Sequence, residues 1–222
     1  YEHAQVFSEA QLSDNWNDPS TPLTFSSAVM DMFRNNSDPI MFPNTNWDDF
    51  LFNKLAWQTQ HNISVSGGAE RVRYFVSVGY LHQDGMLKSF ENYNSNYLYN
   101  RYNYRANVDV DITPTTLLKL NIGGRVSQRH EPNGYGSNIW KYITWCTPFS
   151  SPGFIDGHYT RPVVGDYIPI GGGTSGLDLY YGYGYSEDTS NTLNLDIQLA
   201  QNLNSITKGL SVNLKGAYNS SY

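Results

Sequence analysis

The sequence predicts an all-β protein whose strands form part of a transmembrane antiparallel up-and-down β-barrel. Three observations lead to this prediction: long alternating segments, a regular succession of short and long connections, and no apolar run long enough for a membrane helix. Such a helix needs about 20 mostly apolar residues, whereas a barrel strand alternates apolar with polar residues. A mean hydropathy of −0.50 is therefore compatible with a membrane barrel.

The clearest strand is the segment Leu98–Ile112. Its even-numbered side chains are uncharged, with Asn100 as the polar exception, and the odd-numbered ones include Arg101 and Arg105. Successive side chains of a strand point to opposite faces, so this segment predicts a ribbon with one uncharged and one charged face. Its length, about 15 residues, exceeds the 5–6 typical of soluble domains and suffices for a tilted strand that crosses a bilayer.

Five further segments alternate in the same way, which predicts about six strands in total. In each segment, valine, isoleucine, leucine or tyrosine recurs at alternate positions, and most positions between them are polar. These segments are Trp57–Ser66, Arg71–Leu81, Leu117–Ser127, Thr192–Asn204 and Leu210–Tyr222.

The connections between these strands alternate in length. Gly67–Glu70, Thr113–Thr116 and Ser205–Gly209 are short, whereas His82–Asn96 and Gln128–Asn191 are long. Outer-membrane barrels have short periplasmic turns and long extracellular loops. The pattern therefore predicts that the long connections lie outside the cell.

This orientation predicts an aromatic girdle at the extracellular end of the apolar face. Amphipathic rings gather at the interface between hydrocarbon and water. The predicted girdle residues are Trp57, Tyr80, Tyr102, Tyr104 and Tyr218, with Tyr222 at the same level.

The chain divides into four predicted regions. Residues 1–56 form an extracellular loop region with a short helix at Ser26–Asn35, and residues 57–127 form four barrel strands. Residues 128–191 form a long, aromatic-rich extracellular loop, and residues 192–222 form two further strands. The chain starts without a signal-like segment and stops within a strand pattern, so we expect an internal piece of a larger protein.

A soluble all-β sandwich or barrel is the alternative, in which the uncharged faces form a compact core. The strand lengths and the extent of the long connections favour the membrane barrel, because compact domains rarely contain such long connections.

Two groups of residues are candidates for contact with a solute. Aromatic rings stack on sugars, but the loop rings also suit packing within the loop or against a partner protein. The charged side chains on one face of the central strands contact either a solute or other groups in the barrel lumen. The loop candidates are Trp140, Trp145, Tyr180 and Tyr181, and the lumen-facing candidates are Arg101, Arg105, Asp109, Lys119 and Arg125.

Other functions receive little support. The net charge of −6 and the lack of a basic run give no reason to expect nucleic acid. Cys146 is the single cysteine and the histidines lack ligand-like spacing, so we expect no metal and no cofactor. Gly171–Gly176 matches G-x-G-x-x-G, but the next residues are not amphipathic at helical spacing, which favours a loop. We expect no catalytic residues and no enzyme activity.

A series of motifs resembles the barrel of SusC/RagA-type TonB-dependent transporters. The resemblance extends over roughly residues 44–127, and it is weaker at Pro148–Gly157. The motifs are Asn44–Asp49 (NTNWDD), His61–Gly68 (HNISVSGG), Tyr74–Tyr80 (YFVSVGY), Gln83–Gly85 (QDG) and Tyr102–Asn107 (YNYRAN), followed by Leu118–Leu120 (LKL).

This resemblance implies a barrel of about 22 strands, closed by an N-terminal plug, in the outer membrane of Bacteroidota. It also implies import of oligosaccharides or oligopeptides, with energy that TonB passes from the inner membrane. The implied partners are a SusD-like surface lipoprotein, TonB, outer-membrane lipid and the solute. No residue of this chain is assigned to the plug or to TonB contact. A soluble, β-rich carbohydrate-binding module is the alternative function.

Overall fold

The computed structural model describes residues 1–89, 96–133, 144, 146–160 and 184–222. The chain forms two compact units. The sheet unit comprises Leu55–Gly85, Asn96–Glu131 and Ser186–Tyr222, and the helical unit comprises Tyr1–Lys54, Met86–Ser95 and Pro132–Tyr185. In the described ranges, no helix has the length and apolar character needed to cross a membrane.

Three helices and eight strands follow one another along the described chain. The helices are α1 (Glu2–Asp14), α2 (Ser27–Asn35) and α3 (Trp47–Leu51). The strands are β1 (Gln58–Ala69), β2 (Val72–Asp84), β3 (Leu98–Thr113), β4 (Thr116–Pro132), β5 (Phe154–Ile155), β6 (His158–Tyr159), β7 (Tyr185–Asn202) and β8 (Ser211–Ser221).

Six strands form one sheet in the order β1-β2-β3-β4-β7-β8. The pairs β1–β2, β2–β3, β3–β4 and β7–β8 are antiparallel. Strands adjacent in this sheet follow one another in sequence, apart from the small β5–β6 hairpin, so the meander predicted from alternation is confirmed.

Several strands extend beyond their predicted ends, and β4 and β7 do so by the most residues. β4 continues to Pro132 and β7 begins at Tyr185, where the alternation predicted Ser127 and Thr192 as the limits. The added residues, such as Arg129 at the end of β4, are mostly polar on both faces. Backbone pairing continues there after the alternation has ended, because ladder hydrogen bonds do not depend on which side chains the strand carries.

The register gathers the apolar side chains on one face of the sheet. Val65 lies opposite Val76, Val76 opposite Ala106, and Ala106 opposite Ile122. This face is open: Ile63 is 72% exposed and other members of the rows are also exposed. The apolar face therefore does not form the interior of a compact sandwich, and the soluble alternative is not supported.

The helical unit has its own aromatic core. Phe25, Phe33 and Phe149 are buried together with Ala4, and their rings meet mostly edge-on at centroid distances of 5.2–6.0 Å. Edge-to-face contacts of this kind stabilise aromatic clusters beyond the burial of their area.

Capping residues define α2 and α3. The Ser26 hydroxyl accepts from the backbone N–H of Val29, and the Asn46 side chain accepts from that of Asp49. Each satisfies an N–H that a helix start leaves without a partner. The helix expected near Ser26–Asn35 is present as α2. Periodicity did not predict α1, because its apolar residues are not gathered on one buried stripe.

The β5–β6 hairpin forms because its turn has the residues it needs. Asp156 and Gly157 have φ angles of 50° and 75°. A two-residue hairpin turn of type I′ requires positive φ at both positions, and the Asp-Gly pair tolerates this best.

Candidate substrate-facing surface

The charged parity of the central strands forms one polar face of the sheet. Asp109 lies opposite Lys119, and Arg105 lies opposite Gly123, so the five lumen-facing candidates share this face. The register brings together Asp109 and Lys119, whose Oδ2 and Nζ atoms are 3.8 Å apart. Arg101, Arg105 and Arg125 lie further along the same two strands, toward the long connections.

Carboxylates and cations pair on the polar face near the short turns. Arg73 Nη1 is 2.9 Å from Asp111 Oδ2, and Lys215 Nζ is 3.6 Å from Asp196 Oδ1. These side chains are partly exposed, so solvent screens each pair and its contribution to stability is small. The pairs leave this end of the polar face close to neutral.

The aromatic candidates lie on the opposite, apolar face. The Tyr80 and Tyr102 rings stack at 5.1 Å between centroids with planes 28° apart, because the two residues are directly opposite. Tyr104 is the next residue of the same face on β3. Trp57, just before β1, and Tyr218, on β8, are 68% and 57% exposed. The structure therefore brings Tyr80 and Tyr102 into contact. Trp57, just before β1, and Tyr218, on β8, lie at opposite edges of the sheet.

A polar cluster borders this aromatic pair, and the sequence analysis did not identify it. Asn100 Oδ1 accepts from the Tyr80 hydroxyl at 3.1 Å and lies 2.7 Å from His82 Nδ1. His82 Nε2 is 2.9 Å from Asp84 Oδ1. Asn100 was visible in the sequence as the exception on the uncharged parity of its strand. Its partners followed only from the register.

Two segments of the family resemblance meet in the helical unit. The Trp47 indole N–H donates to the carbonyl of Thr147 at 2.8 Å, and the Thr45 hydroxyl donates to the carbonyl of Ser151 at 2.6 Å. Trp47 is 6% exposed. The NTNWDD motif thus anchors the Pro148–Gly157 segment.

The loop candidates Trp140, Trp145, Tyr180 and Tyr181 lie outside the described residues, as does the glycine-rich Gly171–Gly176. Among the described loop rings, Phe154 stacks on Phe50 at 5.8 Å between centroids. Phe149 belongs to the aromatic core of the helical unit.

The described residues contain no candidate metal site. In these ranges, no group of three or more histidine, cysteine, aspartate or glutamate side chains is arranged to hold a metal ion.

The fold defines the class of protein: an extended antiparallel sheet with one polar and one open apolar face is the wall of a membrane barrel. Among solved structures, the chain matches the RagAB peptide transporter with a TM-score of 0.56, and the RagAB peptide importer in a closed-closed state with a TM-score of 0.61. Sequence identity is 18% in both, and the match covers 98% of this chain but 23% and 25% of those chains.

The curated relatives that the chain resembles are TonB-dependent receptors. The chain is 29% identical over 108 residues to TonB-dependent receptor P26 and 30% identical over 136 residues to TonB-dependent receptor P3, both of Formosa agariphila. It is 26% identical over 138 residues to TonB-dependent receptor SusC of Bacteroides thetaiotaomicron. These matches cover 46%, 56% and 49% of this chain.

The predicted resemblance to SusC/RagA-type TonB-dependent receptors is therefore confirmed. The matched part spans 10%, 12% and 13% of the three receptors. No family model matches the chain.

Proposed function

We propose that this chain is a section of the barrel wall of an outer-membrane transporter, which imports oligosaccharides or oligopeptides with energy from TonB. The complete protein works as the SusC-like barrel beneath a SusD-like surface lipoprotein. It moves its solute without covalent chemistry. The relatives support this proposal, since they are named as TonB-dependent receptors and the structural neighbours as a peptide transporter and a peptide importer.

The open apolar face is the observation that carries the proposal. Val65, Val78 and Leu214 are 57%, 54% and 63% exposed, although each belongs to an ordered strand. Removing one such side chain from water stabilises a protein by about 1.5–3 kcal/mol. Membrane hydrocarbon supplies this burial along the whole face. The six strands are 11 to 18 residues long, which is enough to cross a bilayer at a tilt.

In this proposal the short turns face the periplasm and the long connections face the outside of the cell. Tyr80 and Tyr102 then lie at the outer interface, with the polar cluster of His82, Asp84 and Asn100 at the level of the lipid headgroups. The arginines of the polar face line the lumen.

Two arginine substitutions at adjacent positions test this assignment. Val65 and Ser64 lie at the same depth of β1 but on opposite faces. Arginine on the lipid face near the bilayer midplane costs about 2–4 kcal/mol, whereas lumen positions tolerate charge. In the full-length receptor, we expect Val65→Arg to reduce the heat-modifiable, folded band in outer-membrane fractions, and Ser64→Arg to leave it intact. Equal effects of the two substitutions would contradict the proposal.

Fractionation and uptake separate the proposal from the alternative of a soluble carbohydrate-binding module. We expect the receptor to require detergent for extraction and to lose uptake of labelled oligosaccharide or oligopeptide when TonB is deleted. A protein that is soluble without detergent would favour the module. If the receptor stays in the membrane but takes up solute equally well without TonB, only the proposed energy source is wrong.

A further inference from the structure

Four arginines cluster on the polar face of β3 and β4, toward the long connections. Asn103 lies directly opposite Arg125, so Arg101 and Arg105 are diagonal to Arg125 on either side, and Arg129 is diagonal to Arg101. Diagonal neighbours in an antiparallel pair are roughly 7–8 Å apart. Arg129 lies opposite Tyr99, six residues from Arg105 along β3, so at about 3.4 Å per residue the cluster extends about 20 Å along the strands. We call these four residues the arginine patch.

The arginine patch lacks counter-ions within the described part of the chain. None of the ion pairs found there involves Arg101, Arg105, Arg125 or Arg129. The Nε atom of Arg101 is buried and has no hydrogen-bond partner. On the same face of the described strands, the ion pairs between cations and carboxylates lie nearer the short turns.

Unpaired like charges on neighbouring strands are unfavourable. They destabilise a sheet when they lie directly across from each other, and long side chains such as arginine also reach each other across the longer diagonal. Glu131 and Asp188 share the polar face near the same end, yet neither forms an ion pair with the patch in the described structure. A bound anion would offset the repulsion and provide a partner for Arg101.

A shallow depression gives a ligand access to the patch. It has a volume of about 450 Å³, and its lining includes Arg105, Arg125 and Asn194. Gly123 lies at its floor, and a Cβ built there would approach no atom closer than 3.8 Å, so the backbone is open to a ligand. Carboxamides border the arginines: Asn103 lies directly opposite Arg125, and Asn194 lines the depression together with Arg105 and Arg125.

We propose that the arginine patch binds the acidic groups of an anionic oligosaccharide. This inference rests on the proposed import function and narrows its substrate class. Guanidinium forks bind carboxylate or sulfate through two parallel hydrogen bonds. The neighbouring carboxamides donate and accept, which matches sugar hydroxyls. Several arginines spread over about 20 Å suit an oligomer with repeated acidic groups better than a single small anion.

The surroundings of the patch favour a saccharide over an acidic peptide. Extended peptides commonly bind by pairing with a free sheet edge and by filling pockets for alternate side chains. β3 and β4 are interior strands, hydrogen-bonded to β2 and β7 on their outer sides, so they offer no free edge.

Binding to the full-length receptor with its lipoprotein partner tests the inference. Calorimetric titration uses three saccharides of equal length, which are trigalacturonate, a sulfated trisaccharide and neutral maltotriose, together with a triglutamate peptide. The test variant is Arg105→Gln/Arg125→Gln, with Arg105→Lys/Arg125→Lys as the conservative variant. Arg71→Gln, which removes one positive charge at the turn between β1 and β2, is the control for a general effect of lost positive charge.

We expect the glutamine variant to weaken binding of one or both acidic saccharides at least 10-fold and to change maltotriose binding less than 2-fold. The lysine variant should retain part of the affinity, and Arg71→Gln should retain all of it. Binding by carboxylate or by sulfate alone would identify the acidic group.

Three results would overturn the inference: equal losses for acidic and neutral saccharides, a lower unfolding temperature without a change in acidic affinity, or preferred binding of triglutamate. The second result would indicate that the patch holds another part of the barrel. Maltotriose binding and TonB-dependent uptake without any acidic preference would refute this inference and leave the proposed function standing. If the unmodified receptor takes up neither acidic nor neutral solutes, both this inference and the proposed function are refuted.

Discussion

Gly124 is the position where the structure makes the sharpest prediction about stability. It lies on the apolar face of β4, directly opposite Tyr104, whose ring covers it. A Cβ built at Gly124 would lie 2.5 Å from the backbone carbonyl oxygen of Thr192 and closer still to the Tyr104 ring. Real Cβ atoms essentially never approach another atom within 3.0 Å, so Gly124→Ala must displace both the ring and the Thr192 carbonyl of the neighbouring strand.

The adjacent Gly123 provides a matched control. A Cβ there meets its nearest atom at 3.8 Å, which is ordinary contact. Both alanine substitutions remove glycine from a strand, which is favourable by about 0.5–1 kcal/mol. That gain is common to both variants and cancels in the comparison. The remaining difference is the overpacking at Gly124, typically about 1–3 kcal/mol.

We therefore expect Gly123→Ala to be neutral or stabilising, and Gly124→Ala to be less stable than Gly123→Ala by about 1–3 kcal/mol. Urea unfolding of the full-length receptor in detergent, followed by loss of heat modifiability on gels, compares the two midpoints. Adding Tyr104→Ala to Gly124→Ala should recover only part of the loss, because the Thr192 carbonyl belongs to the backbone. Equal midpoints for the two single variants would refute the close packing of the Tyr104 ring and β7 around Gly124.

Three further predictions concern the helical unit. Phe33 is 2% exposed, so Phe33→Ala should destabilise the unit by about 3–5 kcal/mol and accelerate its proteolysis, whereas alanine at the 40%-exposed Met32 should not. The pKa of the Asp18 carboxylate is lowered by hydrogen bonds from the Ser20 backbone N–H and hydroxyl. The loop should therefore lose this stabilisation only as pH falls through the lowered pKa of Asp18, which lies below 3.8. In Ser20→Ala, the pKa of Asp18 measured from its ¹³Cγ shift should move toward the ordinary value. Gly153 has a φ of +89°, and a Cβ there would lie 2.6 Å from a phenylalanine ring, so Gly153→Ala should lower the unfolding midpoint of the unit.

The strands of the sheet were predictable because alternation is a local signal. Val72, Tyr74 and Val76 repeat every second residue, and the backbone of a strand has that same period. The ends of β4 and β7 were harder to predict, since polar residues on both faces remove the alternation while the backbone continues to pair. Helix α1 was not predicted, because the few residues it buries, Ala4 and Ser8, form no long apolar stripe.

The candidate site was predictable only in part. The parity of Arg101 and Arg125 placed them on the charged face from the sequence alone. The ion pair between Arg73 and Asp111 joins residues 38 positions apart, and no local pattern indicates it. The same holds for His82 and Asn100, whose contact depends on how two strands are aligned.

The sequence by itself determined that the chain consists of long two-faced strands, which side chains share a face, and which family it resembles. These properties follow from short-range periodicity and local motifs. Only the tertiary structure decided which residues lie opposite one another, that the apolar face remains uncovered, and that four arginines gather without carboxylate partners in the described chain. The physical reason is that sliding one strand by two residues preserves every face but changes every cross-strand neighbour, so the register depends on the packing of the whole sheet.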